Sequence, residues 1–243
     1  DYTKQTKYLS LGDSEFFTEF DNYDYDSLNS MFTGFYLNFS NPELNGLIIR
    51  DRIAKSFDGS VSETYRQIFD NWILERVDLG SNNHAFGHDI KKIFFTSLIG
   101  AFILDIIVNY YLEASYLDNQ ENDTLVDNKN YTLMEHRWDQ AFGYLYGHEE
   151  EDISVARDNP SGEGNFLMKY FKKTISDYDA NMGHKVYDAY KKGRHAIVSK
   201  DYDTRDQQAV IIKQNLSNVI GYQLLKFINN VKEKTEADQS IET

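Results

Sequence analysis

The chain contains no cysteine among its 243 residues and only two prolines, Pro42 and Pro160. The absence of cysteine excludes disulfide bonds, thiolate metal sites and cysteine nucleophiles. Scarce proline leaves long segments that can form uninterrupted helices. The sequence therefore favours a helical protein without cysteine chemistry.

The sequence also lacks a run of apolar residues long enough to predict a membrane span. The most apolar segment, residues 93–112, carries Thr96, Ser97, Asp105 and Asn109, whereas a span needs roughly 18 or more apolar residues. We interpret this segment as a buried core helix.

Positive charge is scarce as well, with 25 Lys and Arg against 39 Asp and Glu, a net charge of -14. Such a field repels phosphate backbones and anionic lipids, so we expect no nucleic-acid partner. A hydrophobic content of 41% nevertheless allows a real core, and the length fits one domain. We predict a single all-helical domain over residues 1–243.

Apolar residues recur at three- and four-residue spacing between Gly-, Asn- and Asp-rich breaks, which indicates helices. Their length and short connections imply an up-and-down bundle, with polar loops at 118–129 and 147–164. Asp203 is the predicted N-cap of the last helix. The predicted helices are residues 14–20, 43–57, 62–77, 88–116, 131–146, 165–178, 181–199 and 204–233.

The densest functional motif lies between Asn130 and Gly147. Glu135 and Asp139 are four residues apart, and His136 and Asp139 are three apart, so carboxylate and imidazole could reach one metal ion from one helix face. Asp105, on the core helix, is the predicted additional ligand, and His184 and Asp188 are further candidates. The aromatic residues at helical spacing are predicted to be buried: Trp138, Phe142, Tyr187, Tyr190 and Tyr222.

An ion-pair interpretation competes with the metal site. Buried acids need a partner, and Arg194 or Arg205 could neutralise Glu135 and Asp139. For Asp105 we favour an ion pair with Arg137 or Arg194 over a metal ligand.

The other histidines carry weaker signals. His84 and His88 have the spacing of a two-histidine metal pair, but no glutamate follows the first one directly, and the surrounding residues favour a loop. His148 lies in an acidic loop that we interpret as solvated. No nucleophile elbow, phosphate loop or dinucleotide fingerprint occurs, so the sequence does not support an enzyme.

Four segments carry a family resemblance: SLIGAFILDIIVNYYL, NYTLMEHRWDQAFGYLYG, NFLMKY and VYDAYKKGRHAIVSKDYDTRDQQAVIIKQNLSNVIGYQLL. In this order they resemble a bacterial family of exported, lipid-anchored proteins catalogued as a domain of unknown function. That family is similar to the imelysins, helical envelope proteins associated with iron acquisition. At the motif, the imelysin glycine is replaced by Met134 and the imelysin glutamate by Asp139.

The resemblance implies an imelysin-like bundle with its core at residues 91–235, a less recognisable part at 1–90 and a flexible tail at 236–243. It implies export to the periplasm or outer-membrane surface of a Gram-negative bacterium, with a lipid anchor expected before Asp1. The implied function is a non-catalytic binding or accessory protein in iron or other metal acquisition, with a divalent or ferric ion as the candidate cofactor. An outer-membrane uptake receptor or another envelope protein is the expected partner. Two alternatives stay open, a metal-dependent peptidase-like hydrolase and a structural scaffold.

Overall fold

The computed structural model describes residues 49–79, 93, 96–146 and 166–241. Over these residues the chain forms no strand, and one isolated bridge joins Leu125 to Thr132. The all-α prediction is confirmed. The predicted helix at 14–20 and the predicted loop at 147–164 lie outside the described residues.

The helices are α1 (Ile49–Arg52), α2 (Gly59–Leu79), a central helix of residues 96–111, α3 (Ala114–Leu117), α4 (Leu133–Tyr146), α5 (Phe166–Asp177), α6 (Met182–Val198) and α7 (Tyr202–Ile241).

The predicted helix at 43–57 is wrong at its end, because a turn separates α1 from α2. Ala54 has a φ of 52°, and its backbone N–H donates to the carbonyl of Ala101 at 2.7 Å. Asp58 then caps α2 by accepting from the N–H groups of Ser60 and Val61 at 3.0 and 3.1 Å. The tertiary bond to Ala101 and the aspartate cap together stop the helix before residue 57.

The central helix is buried as predicted but is not a regular α-helix. It contains two π-helical segments, Ile99–Leu104 and Ile107–Tyr111. Leu112 N–H reaches the carbonyl of Ile107 at 3.1 Å, the five-residue step of a π-turn. Its apolar residues pack against α4, α5 and α7, which places the helix inside the bundle.

Helices α4 and α6 lie close together because a glycine faces a tryptophan. A methyl group at Gly193 would overlap the Trp138 indole, whose Nε1 donates to the carbonyl of Tyr190 at 2.9 Å. Trp138, Phe142 and Tyr190 are buried, whereas Tyr187 and Tyr222 are only half-buried. The aromatic prediction is thus confirmed for the three residues at this interface.

Helix α7 begins slightly earlier than predicted. Asp201, not Asp203, accepts from the N–H of Thr204 at 3.1 Å, so Asp201 is the cap. The helix continues to Ile241, into the residues predicted as a tail. Its buried face packs on α6 and consists of Ala209, Ile212, Leu216 and Val219.

Candidate functional site

The two acids of the predicted metal motif meet an arginine from the neighbouring helix. Nη1 of Arg194 lies 2.7 Å from Oε1 of Glu135. Its Nε donates to both carboxylate oxygens of Asp139 at 3.1 and 3.2 Å. Glu135 and Asp139 are only 7% and 3% exposed. The ion-pair interpretation therefore applies to Glu135 and Asp139, because Arg194 of α6 pairs with both.

Glu135 has a second task at the start of α4. Its Oε2 accepts from the backbone N–H of Thr132 at 2.7 Å, and the Thr132 hydroxyl oxygen accepts from the N–H of Glu135 at 3.3 Å. This reciprocal pair is a capping box, whose signature T-x-x-E stands at residues 132–135. This signature is visible in the sequence but was not among the predicted features. Both carboxylate oxygens of Glu135 are therefore occupied.

His136 lies beside a different partner. Its ring stacks on Tyr131, with centroids 5.2 Å apart and planes 20° apart. Its Nδ1 is buried and has no hydrogen-bond partner within the described chain. Burial, with Arg137 and Lys129 nearby, lowers the pKa of His136 to about 4. The imidazole is neutral at physiological pH and packs as an aromatic ring.

Asp139 experiences two opposing effects. Burial raises the pKa of its carboxyl to about 6, although the charge of Arg194 and its hydrogen bonds act in the opposite direction. The removal from water outweighs the arginine because the carboxylate is almost fully enclosed. The Asp139 carboxyl therefore titrates well above the usual range of an aspartate.

A second buried arginine holds the loop before α4. Arg205 is 0% exposed and donates to Asp118 at 2.7 Å and to Asp206 at 2.8 Å. Its guanidinium also lies 4.9 Å from the Tyr202 ring centroid. Arg205 therefore does not serve Glu135 or Asp139, and it ties the predicted loop at 118–129 to α7.

Asp105 lies apart from these clusters, against the turn between α1 and α2. It accepts from Ser56 N–H at 3.1 Å, from the Ser56 hydroxyl in a short contact, and from Asn109 Nδ2 at 3.1 Å. The favoured pairing with Arg137 or Arg194 is wrong, because Arg194 is taken by the acids of α4 and Arg137 donates to Gln140 at 2.7 Å. No residue in the described ranges forms an ion pair with Asp105.

A groove of about 440 Å³ opens next to Asp105. One wall comes from the turn after α1 and from α2, the other from the central helix, and Ser217 of α7 contributes to the lining. Phe57 and Tyr65 stand at its rim, 50% and 41% exposed, with ring centroids 5.7 Å apart. The groove could not be predicted from the sequence, because its walls are brought together by tertiary contacts.

The predicted metal ligands do not converge. In the part of the chain that the structure describes, no group of three or more His, Asp or Glu side chains is arranged to hold a metal ion. His184 and Asp188 are exposed on α6. His84, His88 and His148 lie outside the described residues. The metal prediction for Glu135, His136, Asp139 and Asp105 thus has no joint ligand set among the described side chains.

The fold and the site define an all-helical protein in which an arginine joins two helices through buried acids. The family model "Domain of unknown function (DUF4856)" matches residues 80–241, and the chain belongs to this family. Searches of curated proteins and of solved structures find no match. Within the described ranges, no helix combines the length and apolarity that crossing a membrane requires.

Proposed function

We propose that the chain is a non-catalytic binding or accessory protein of the bacterial cell envelope, with an imelysin-like bundle, that serves iron or other metal acquisition through a partner protein. Family membership and the all-α fold agree with this role, and the order of the four sequence segments from Lys91 onward supports it. The proposed location is the periplasm or the outer-membrane surface. An outer-membrane uptake receptor or another envelope protein is the proposed partner.

The geometry at α4 favours a partner-based role over a metal held by the motif. Arg194 places a positive charge within 2.7 Å of Glu135 and 3.1 Å of Asp139, where a cation would be repelled. A metal-dependent hydrolase would also need side chains that are free to hold the ion beside its bound water. Both acids of the motif are already engaged, so the hydrolase alternative loses its candidate residues.

The observation that carries the proposal is an apolar stripe on α7, formed by Ile220, Leu224, Phe227, Ile228 and Val231. These side chains recur at three- and four-residue spacing and are 38% to 65% exposed. Exposed apolar surface of this kind marks protein interaction sites, and an amphipathic helix face can lie in a groove of a partner. A purely structural scaffold has no need of such a face.

The test is complementation in the bacterium that carries the gene. A deletion strain receives the wild type or the variant Leu224→Lys/Ile228→Lys, and growth is followed in iron-limited medium. We expect the wild type to restore growth and the stripe variant to fail, because two charges block apolar docking. Unchanged melting by circular dichroism verifies that the variant is folded.

A matched control carries the same charge change elsewhere on α7. Gln214 and Asn218 are exposed and have the same four-residue separation, so Gln214→Lys/Asn218→Lys is expected to restore growth. Full growth of the untransformed deletion strain in iron-limited medium, or full rescue by the stripe variant, would argue against the proposal.

A further inference from the structure

The Asp105 carboxylate is buried beside the groove without a positive partner among the described residues. It is 6% exposed, and its three hydrogen-bond donors are the neutral groups of Ser56 and Asn109. Neutral donors stabilise a carboxylate but leave its charge uncompensated. A cation entering the groove would supply the missing charge.

The rest of the groove is suited to an apolar body. Leu104 and Val108 line one wall, and the rings of Phe57 and Tyr65 form the rim. The volume of about 440 Å³ lies within the usual range of small-molecule sites. One carboxylate among apolar walls is the arrangement expected for an organic cation rather than for a metal ion, which requires several converging oxygen ligands.

We propose that this groove binds a protonated organic amine with an apolar or aromatic body, whose ammonium group donates to the Asp105 carboxylate while its body contacts Phe57 and Tyr65. No residue of the α7 stripe lines the groove, so the proposal goes beyond the partner-binding role and does not depend on it. The central helix also holds the opposite wall in place, because the carbonyl of Ala101, in its first π-helical segment, accepts from Ala54 N–H in the turn that forms that wall.

The experiment uses three probes of nearly equal shape and different charge. Phenethylamine is a cation at neutral pH, 2-phenylethanol is neutral, and phenylacetate is an anion. Binding is measured by calorimetry and by chemical-shift perturbation in the full chain. We expect saturable binding of phenethylamine, binding of 2-phenylethanol weaker by at least about tenfold, and no detectable binding of phenylacetate, because a charge-assisted hydrogen bond distinguishes the three.

Two variants and a control locate the site. Asp105→Asn removes the charge and is expected to weaken phenethylamine binding by at least about tenfold. Gly100→Leu adds a bulky apolar side chain at a residue that lines the groove, where a Cβ would meet no heavy atom within 4 Å, and it is expected to abolish binding. Asp188→Asn makes the same charge change at an exposed position of α6 and is expected to bind like the wild type.

Equal affinity for phenethylamine and 2-phenylethanol would overturn the proposed charge recognition. Undiminished binding by folded Gly100→Leu would overturn the assignment to the groove, and no saturable binding of phenethylamine would overturn both. If Asp105→Asn does not fold, the three probes still test the charge recognition and Gly100→Leu still tests the location of the site. The growth experiment tests the α7 stripe and the binding experiment tests the groove, so either proposal can be rejected without affecting the other.

Discussion

The described part of the chain contains two buried carboxylate sites that differ in their counter-charge. At α4, Glu135 and Asp139 share Arg194 of α6, which lies within hydrogen-bond distance of both. On the central helix, Asp105 has as hydrogen-bond donors, among the described residues, only Ser56 and Asn109, and it lies beside an open groove. The acids at the two sites are similarly buried, but only those of α4 have a positively charged partner among the described residues.

The difference separates a structural site from a candidate ligand site. A buried acid with its own arginine is internally neutral and joins two helices, so removal of either partner leaves an uncompensated charge. A buried acid whose donors are all neutral has no counter-charge of its own, so an incoming cation could supply one. The sequence motif that looked most like a ligand site is thus the structural one, and the residue offered only as its auxiliary lies at the more open place.

The largest expected effect comes from removing the cation at α4. Arg194→Leu leaves two acids buried without a counter-charge and should lower the free energy of unfolding by about 3–5 kcal/mol. Chemical denaturation of wild type and variant measures it. Lys185→Leu on the same helix is the control, because Lys185 is 50% exposed in its pair with Asp179 and should cost less than about 1 kcal/mol. Equal losses in both variants would erase the distinction between the buried and the exposed pair.

The next effect is a pair of opposite pH dependences on α4. Burial raises the pKa of Asp139 from 3.8 to about 6, so its contribution to stability is present below 3.8 and is lost as the pH rises through 6. Burial lowers the pKa of His136 from 6.5 to about 4, so its contribution is present above 6.5 and is lost as the pH falls through 4. Each effect is on the order of 3 kcal/mol.

The two dependences are measured by denaturation of wild type, Asp139→Asn and His136→Phe across this pH range. The stability of the wild type relative to Asp139→Asn should fall as the pH rises from about 4 to 6. Relative to His136→Phe, it should rise between about pH 4 and 6.5. Parallel curves for the three proteins would show that neither group titrates with a shifted pKa.

A smaller effect is expected at the other carboxylate. Asp105→Asn keeps the shape of the side chain and one acceptor for Ser56, and no ion pair in the described chain is broken. The loss in unfolding free energy should be about 1.5–3 kcal/mol, the value of hydrogen bonds to a charged group. Thermal and chemical denaturation of this variant beside Arg194→Leu measures the contrast. A loss as large as that of Arg194→Leu would mean that Asp105 is also part of an internal charge pair.

The smallest effect concerns added metal. We expect iron, zinc and calcium to leave the melting temperature of the wild type unchanged, because Arg194 repels a cation from Glu135 and Asp139. A ligand that binds only the native state raises the melting temperature. If one metal raises the melting temperature of the wild type and this rise disappears in His136→Ala/Asp139→Asn, the acids of α4 bind a metal ion. The two carboxylate sites would then not differ in their ability to bind a cation.

The sequence predicted local features well and partners poorly. Helical spacing placed Glu135 and Asp139 on one face of α4 and indicated the burial of Trp138. The capping box at Thr132 was also readable, from T-x-x-E, but was missed. Helical spacing contains no information about which cation arrives from another helix, so two arginines remained possible for the acids, and Asp105 was assigned an ion pair that does not form.

By itself, the sequence determined the all-α class, the buried central helix and the family. These properties follow from periodicity, from scarce proline and from the order of long segments, all of which act along the chain. Tertiary structure decided that Arg194 serves Glu135 and Asp139 while Arg205 serves Asp118, that Ala54 interrupts the helix predicted at 43–57, and that a groove opens at Asp105. Each of these depends on contacts between residues far apart in sequence, where packing and desolvation select one partner among several chemically equivalent ones.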